Sequence, residues 1–169
     1  MKAKIDKILE RILVFLMVLL VVDVLWQVIS RYLNKFIAGN FNFQIPTQLY
    51  SFTDELAGFL LVWVALLGGA WATGRKEHLA IELLPEKLNK PNNKRLSILI
   101  NSLILVFSVG VLMIGGIWLV YTRFYLGQVS AAMEVPIGVV YSIVPFSGII
   151  ISYYVINEIF IIVKSQKKV

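Results

Sequence analysis

The sequence predicts an all-α, polytopic membrane protein with four transmembrane helices, short interfacial amphipathic helices and both termini on the cytoplasmic side. Three observations predict it. Of 169 residues, 59% are hydrophobic and only 15% charged, whereas a soluble domain is about 45–50% apolar and about 25% charged. Four apolar stretches approach or exceed the roughly 20 residues that a helix needs to cross a bilayer. The basic residues alternate in density from one connection to the next, which is how orientation is written into a membrane chain. The same composition excludes a disordered protein, and a soluble globule of this size could not bury so much apolar surface. With no cysteine and one histidine, His78, disulfide frameworks, thiol chemistry and bis-histidine haem are excluded, and a transition-metal centre is disfavoured. No metal, cofactor or catalytic residue is expected.

The chain reads as one membrane domain, 1–169. Span one covers about 8–30. Its start, after Lys2, Lys4 and Lys7, resembles a secretory leader. The apolar run continues, however, through Asp23-Val24-Leu25-Trp26-Gln27 with no small-residue cleavage site, so it is read as an uncleaved helix. Arg31 and Lys35 then belong to an outer loop. Pro46 can open a helix, and Ile45, Leu49, Phe52 and Leu56 repeat at helical spacing. An outer interfacial segment at about 45–55 therefore leads straight into span two, about 56–73. On the inner side, His78-Leu79-Ala80-Ile81-Glu82-Leu83-Leu84 before Pro85 reads as a second surface segment at about 77–90. Spans three and four cover about 96–121 and 135–163. Inside lipid, backbone polar groups must bond within the segment, so all four are helices. Thirteen basic residues fall on the side of the termini and three on the other, which places both ends in the cytoplasm. The net charge of +6 is this bias together with attraction to anionic phospholipids. It is not a nucleic-acid footprint, because the cations sit at helix ends.

Several residues are candidates for contact or chemistry. Asp23 lies near the bilayer middle by residue count, with Gln27 and Ser30 on the same helical face. A carboxylate at that depth costs roughly 2.5–3.5 kcal/mol on insertion scales, so it faces protein or water. It is either a proton or ion site or a polar seam to another helix, and the seam is favoured because no other acid lies comparably deep. Asp54 and Glu55 could bind a cation or perform acid–base chemistry. Equally, they could complement the helix dipole and pair with Arg31 or Arg123. Glu158 reads as a shallow interfacial carboxylate. Arg75 and His78 belong to the inner cap of span two, where a lone histidine among cations is read as a packing or hydrogen-bonding group. Ala65, Gly69 and Thr73 form one small-residue ridge, with Gly68 and Ala72 beside it. Gly148 and Ser152 repeat the spacing in span four, and Gly115-Gly116 interrupt span three. Such residues let helix backbones approach closely in lipid, within the chain or against another protein. Trp26, Trp63, Trp71 and Trp118 are belt anchors or interface fillers.

Three stretches resemble a known family in this order. They are Asp54-Glu55-Leu56, Leu61-Val62-Trp63-Val64-Ala65-Leu66-Leu67-Gly68-Gly69-Ala70, and Arg75-Lys76-Glu77-His78-Leu79-Ala80-Ile81-Glu82. Together they resemble the small membrane subunit of TRAP transporters, the DctQ-like family. Ser130-Ala131-Ala132-Met133-Glu134-Val135-Pro136 with Tyr141 and Pro145 is similar to the family's entry to span four. The resemblance implies a tripartite system. A periplasmic binding protein delivers an organic acid to a large membrane subunit that moves it with sodium, while the small subunit braces the large one and helps to dock the binding protein. Among relatives, the chain is most similar to those of sialic-acid systems.

From the residues alone, a scaffold subunit is favoured, because no internal repeat is visible and Pro145 is the only proline deep in a span. The alternative is a homodimeric four-helix proton-coupled exporter using Asp23. A membrane enzyme fails, since His78 and the Asp54–Glu55 pair fall on opposite faces of the predicted topology.

Overall fold

A computed structural model gives the fold; it describes residues 2–41, 48–75 and 90–166. The chain is all-helical, and four of its helical stretches are long and apolar enough to cross a membrane, at Lys4–Phe36, Phe52–Arg75, Leu96–Tyr125 and Ile137–Lys164.

Helix α1, Lys2–Phe41, is 40 residues long. Arg31 and Lys35 therefore stand on a helix and not in a loop. The reason lies in the sequence, which offers no proline or glycine before Gly39 to stop the helix. Helix α2, Gln48–Arg75, starts well ahead of the apolar stretch and runs into it without a break. Pro46, and with it the start of the predicted outer segment, lies outside the described residues. So does the predicted inner segment at 77–89, including His78.

The third span is composite. Helix α3, Lys90–Phe107, passes into a π-helical stretch, Ser108–Gly115, and resumes as α4, Gly116–Tyr125. The fourth is also broken, into α5, Ile137–Tyr141, and α6, Ile143–Gln166. Pro145 has no N–H to offer the Tyr141 carbonyl and its ring crowds that turn, so the helix interrupts at Ser142. The Ser142 hydroxyl donates to the Val139 carbonyl at 2.6 Å, holding the break.

The helices pack as a row. The first span lies against α2, α2 against the fourth span, and the fourth against the third. The first and third spans make no substantial contact, and neither do α2 and the third. The apolar core is correspondingly thin: Leu9, Leu13 and Leu16 of α1, Leu60 and Leu67 of α2, and Ile143 and Tyr154 of α6. Only 11–28% of each span's apolar window is buried inside the chain, leaving most of the apolar surface for lipid or another protein.

Candidate functional site

The face-to-face pair of α1 and α2 carries most of the polar candidates. Along α1, Leu9, Leu13 and Leu16 recur every three or four residues and are buried; Asp23 continues the stripe. Apolar packing thus gives way to a polar seam on the same helical face. The seam is closed at both ends by ion pairs. The Arg31 guanidinium donates to both carboxylate oxygens of Asp54, at 2.9 and 3.0 Å. At the other end Arg75 reaches Glu10 at 3.3 Å and lies over the Trp71 ring, 4.3 Å from its centroid. Glu10 and Arg31 are 21 residues apart on α1, and so are Asp54 and Arg75 on α2. At about 1.5 Å per residue that separation is roughly 32 Å, close to the roughly 30 Å of a bilayer's hydrocarbon core. The two pairs are therefore spaced to match its two boundaries.

Asp23 lies eight residues from Arg31, about 12 Å below that boundary. It is 8% exposed, and its Oδ2 has no hydrogen-bond partner among the described residues. Gln27 is half-buried one turn on, and the Gln27 carbonyl accepts the Ser30 hydroxyl at 3.1 Å.

Asp54 and Glu55 do not work together. While Asp54 pairs with Arg31, Glu55 turns to the connection between the third and fourth spans. There it accepts the Ser130 hydroxyl and the Ala132 N–H, the latter at 3.1 Å. This connection is a compact turn bridged between Val129 and Pro136, with Ser130 N–H donating to the Val135 carbonyl at 2.9 Å. Gly127 and Glu134 take positive φ, at 57° and 54°. Arg123, the other partner expected for the acidic pair, instead donates to the Gln128 side chain and lies over the Tyr141 ring. Trp63 is neither a belt anchor nor a simple filler, since its indole N–H donates to the Val140 carbonyl at 3.0 Å and ties α2 to α5.

The small residues divide into two sets. Gly148 and Ser152 are internal. Ser108 is fully buried, donates to the Gly148 carbonyl at 2.8 Å and lies 3.1 Å from the Ser152 hydroxyl. A Cβ on Gly148 would stand 2.9 Å from Leu112 Cβ. Gly116 is equally tight against Pro145. By contrast, Ala65 and Gly69 are exposed, and a Cβ on Gly69 would meet nothing within 4 Å. Gly68 and Ala72 are half-buried, with Leu13 3.9 Å from where a Gly68 Cβ would lie. Ala65 and Gly69 therefore present a smooth surface that the described residues leave uncovered.

The pattern of the DctQ component of tripartite ATP-independent periplasmic transporters matches residues 17–164. The chain belongs to the DctQ family. A protein of Haemophilus influenzae described as a TRAP transporter small permease is 26% identical over 155 residues, covering 92% of this chain and 87% of that relative. The DctQ chain is thus the small permease subunit of a TRAP transporter, a multi-pass membrane protein of a transport family and not of an enzyme family. Membership of a tripartite family implies a large membrane subunit and a binding protein as partners.

The matched segment takes in every candidate residue from Asp23 to Ser152, of which all but His78 are described. Among the described residues of the DctQ chain, no three of His, Cys, Asp and Glu gather to hold a metal ion. Sequence reasoning missed several contact residues, among them Glu10, which pairs with Arg75. Ser108 is a lone serine in an apolar run, and Ser130 stood out only within the family-like stretch, with no partner expected for it. Gly74 was passed over although its α-carbon abuts the Tyr154 ring, leaving a Cβ only 2.8 Å from it. Tyr154, whose hydroxyl bonds Asp6, sits in a tract of near-uniform hydrophobicity. Only Gly74 carried a usable signal, as the last small residue before the Arg75 cap.

Proposed function

We propose that this DctQ chain is a scaffold without a solute route of its own. It braces the large membrane subunit of a sodium-coupled, binding-protein-dependent importer of an organic acid. The observation that carries this reading is the row of helices. Four spans laid side by side enclose no interior, and they leave the Ala65–Gly69 surface open to a helix of another protein. With both termini cytoplasmic, the turn at 126–136 stands on the periplasmic side. Its fastening by Glu55 makes it a firm platform for the binding protein. Sialic acid is the substrate favoured by the resemblance of the whole sequence.

The test is reconstitution. Liposomes holding this chain, the large subunit and the binding protein should take up the acid with sodium, and liposomes holding this chain alone should not. Sodium-driven uptake by the isolated chain would overturn the reading. Asp23, buried with an unpartnered oxygen, favours the second reading, a homodimeric proton-coupled exporter. The Asp23→Asn substitution separates the two. It abolishes activity in an exporter, whereas in a scaffold it only weakens subunit assembly, read as the yield of co-purified complex.

A further inference from the structure

We propose that the outward face of α1 holds an anionic phospholipid, with Lys7 and Arg11 on the phosphate and Val14, Phe15 and Val18 along an acyl chain. At 3.6 residues per turn, Lys4, Lys7, Arg11, Val14, Phe15 and Val18 fall within a stripe about 100° wide. That stripe lies opposite the Leu9, Leu13 and Leu16 face that packs on α2. As α1 is the end helix of the row, nothing else in the described chain covers it. Val14, Phe15 and Val18 are 58%, 66% and 57% exposed. An open groove of about 580 Å³ runs along them, with Lys7, Glu10 and Arg11 at its mouth.

The order of chemistry along the groove is that of a lipid. Glu10, the acid between the cations, is turned to Arg75. Lys7 and Arg11 make no ion pair among the described residues, so their charge is free for a phosphate. They stand level with the ion pair that marks the hydrocarbon boundary, and the apolar residues continue about 10 Å below Arg11. Cations at a headgroup plane attract anionic lipid, and a zwitterionic lipid brings an ammonium that cancels much of the attraction. The family pattern begins at residue 17. Lys7, Arg11, Val14 and Phe15 precede it, and Val18 falls within it.

Native mass spectrometry of the full chain from vesicles of equal phosphatidylglycerol and phosphatidylcholine tests the site. Retained phosphatidylglycerol is expected on the unaltered chain. Its affinity should fall roughly 20- to 30-fold in K7Q/R11Q, about fivefold per cation, and stay unchanged in K164Q. Equal retention of phosphatidylcholine, or equal loss in K164Q, would overturn the proposal. A diazirine side chain in place of Val18 gives an independent readout in the assembled transporter. A phosphatidylglycerol adduct is expected there, and an adduct to another subunit would show that a protein covers this face instead.

Discussion

The pairing of α1 with α2 and the pairing of the third span with the fourth solve one problem in opposite ways. Neither has a hydrophobic force to draw its helices together in lipid, because the tails are as apolar as the side chains. The first pairing uses large groups, with buried leucines along its length and an ion pair at each end. The second uses the removal of side chains: Gly148 and Gly116 let backbones close in, and Ser108 bonds across the gap at 2.8 Å. A pairing held by side chains can absorb a small change in one of them, while one held by backbone proximity has no slack.

Substitutions should expose that difference. Gly148→Val sets a side chain against Leu112, Met113 and the Met113 backbone, and overpacking of this kind costs about 2–3 kcal/mol. Thermal unfolding in detergent should show it as the largest loss of the set, with the yield of assembled complex falling in parallel. Ser108→Ala removes the inter-helix hydrogen bond and should cost about 1 kcal/mol, read by denaturant titration in mixed micelles. Arg31→Gln opens one clamp of the first pairing. The Arg31 and Asp54 side chains are 60% and 45% exposed, so only about 0.5 kcal/mol should be lost, and the charge-swapped pair R31D/D54R should recover it. Gly69→Val should change the stability of the chain by less than about 0.5 kcal/mol, since a Cβ there meets nothing. It should nonetheless lower the yield of complex with the large subunit. If Gly69→Val proved as destabilising to the isolated chain as Gly148→Val, the division into open and closed small-residue surfaces would fail.

The two pairings also differ in how far the sequence announced them. Charge and apolar length are long-range patterns, and they gave the four spans and offered Arg31 or Arg123 to the acidic pair, of which Asp54 takes Arg31. What they could not give was where α1 stops, because an apolar count ends at the last hydrophobic residue, whereas a helix ends only at a breaker. In the second pairing, Gly148 and Ser152 stood out by their spacing. The π-helical stretch did not, and the partners at its two ends, Gly148 for Ser108 and Pro145 for Gly116, lie far along the chain. Glu55 shows the same limit. Its neighbour Asp54 found a cation at its own level, but Glu55 found hydroxyl and amide groups in a connection 75 residues further along the chain.

The matched 21-residue intervals between the two ion pairs make α1 and α2 a gauge of fixed length. Sliding one helix along the other would part both clamps together, so the pair meets a change in its surroundings as a rigid unit, by leaning. A membrane with longer tails would draw both charged ends into oil, and one with shorter tails would strand leucine in water. Each costs a fraction of a kcal/mol per ångström of mismatch. The chain is thereby graded for one class of bilayer, and any subunit fastened to it inherits that preference.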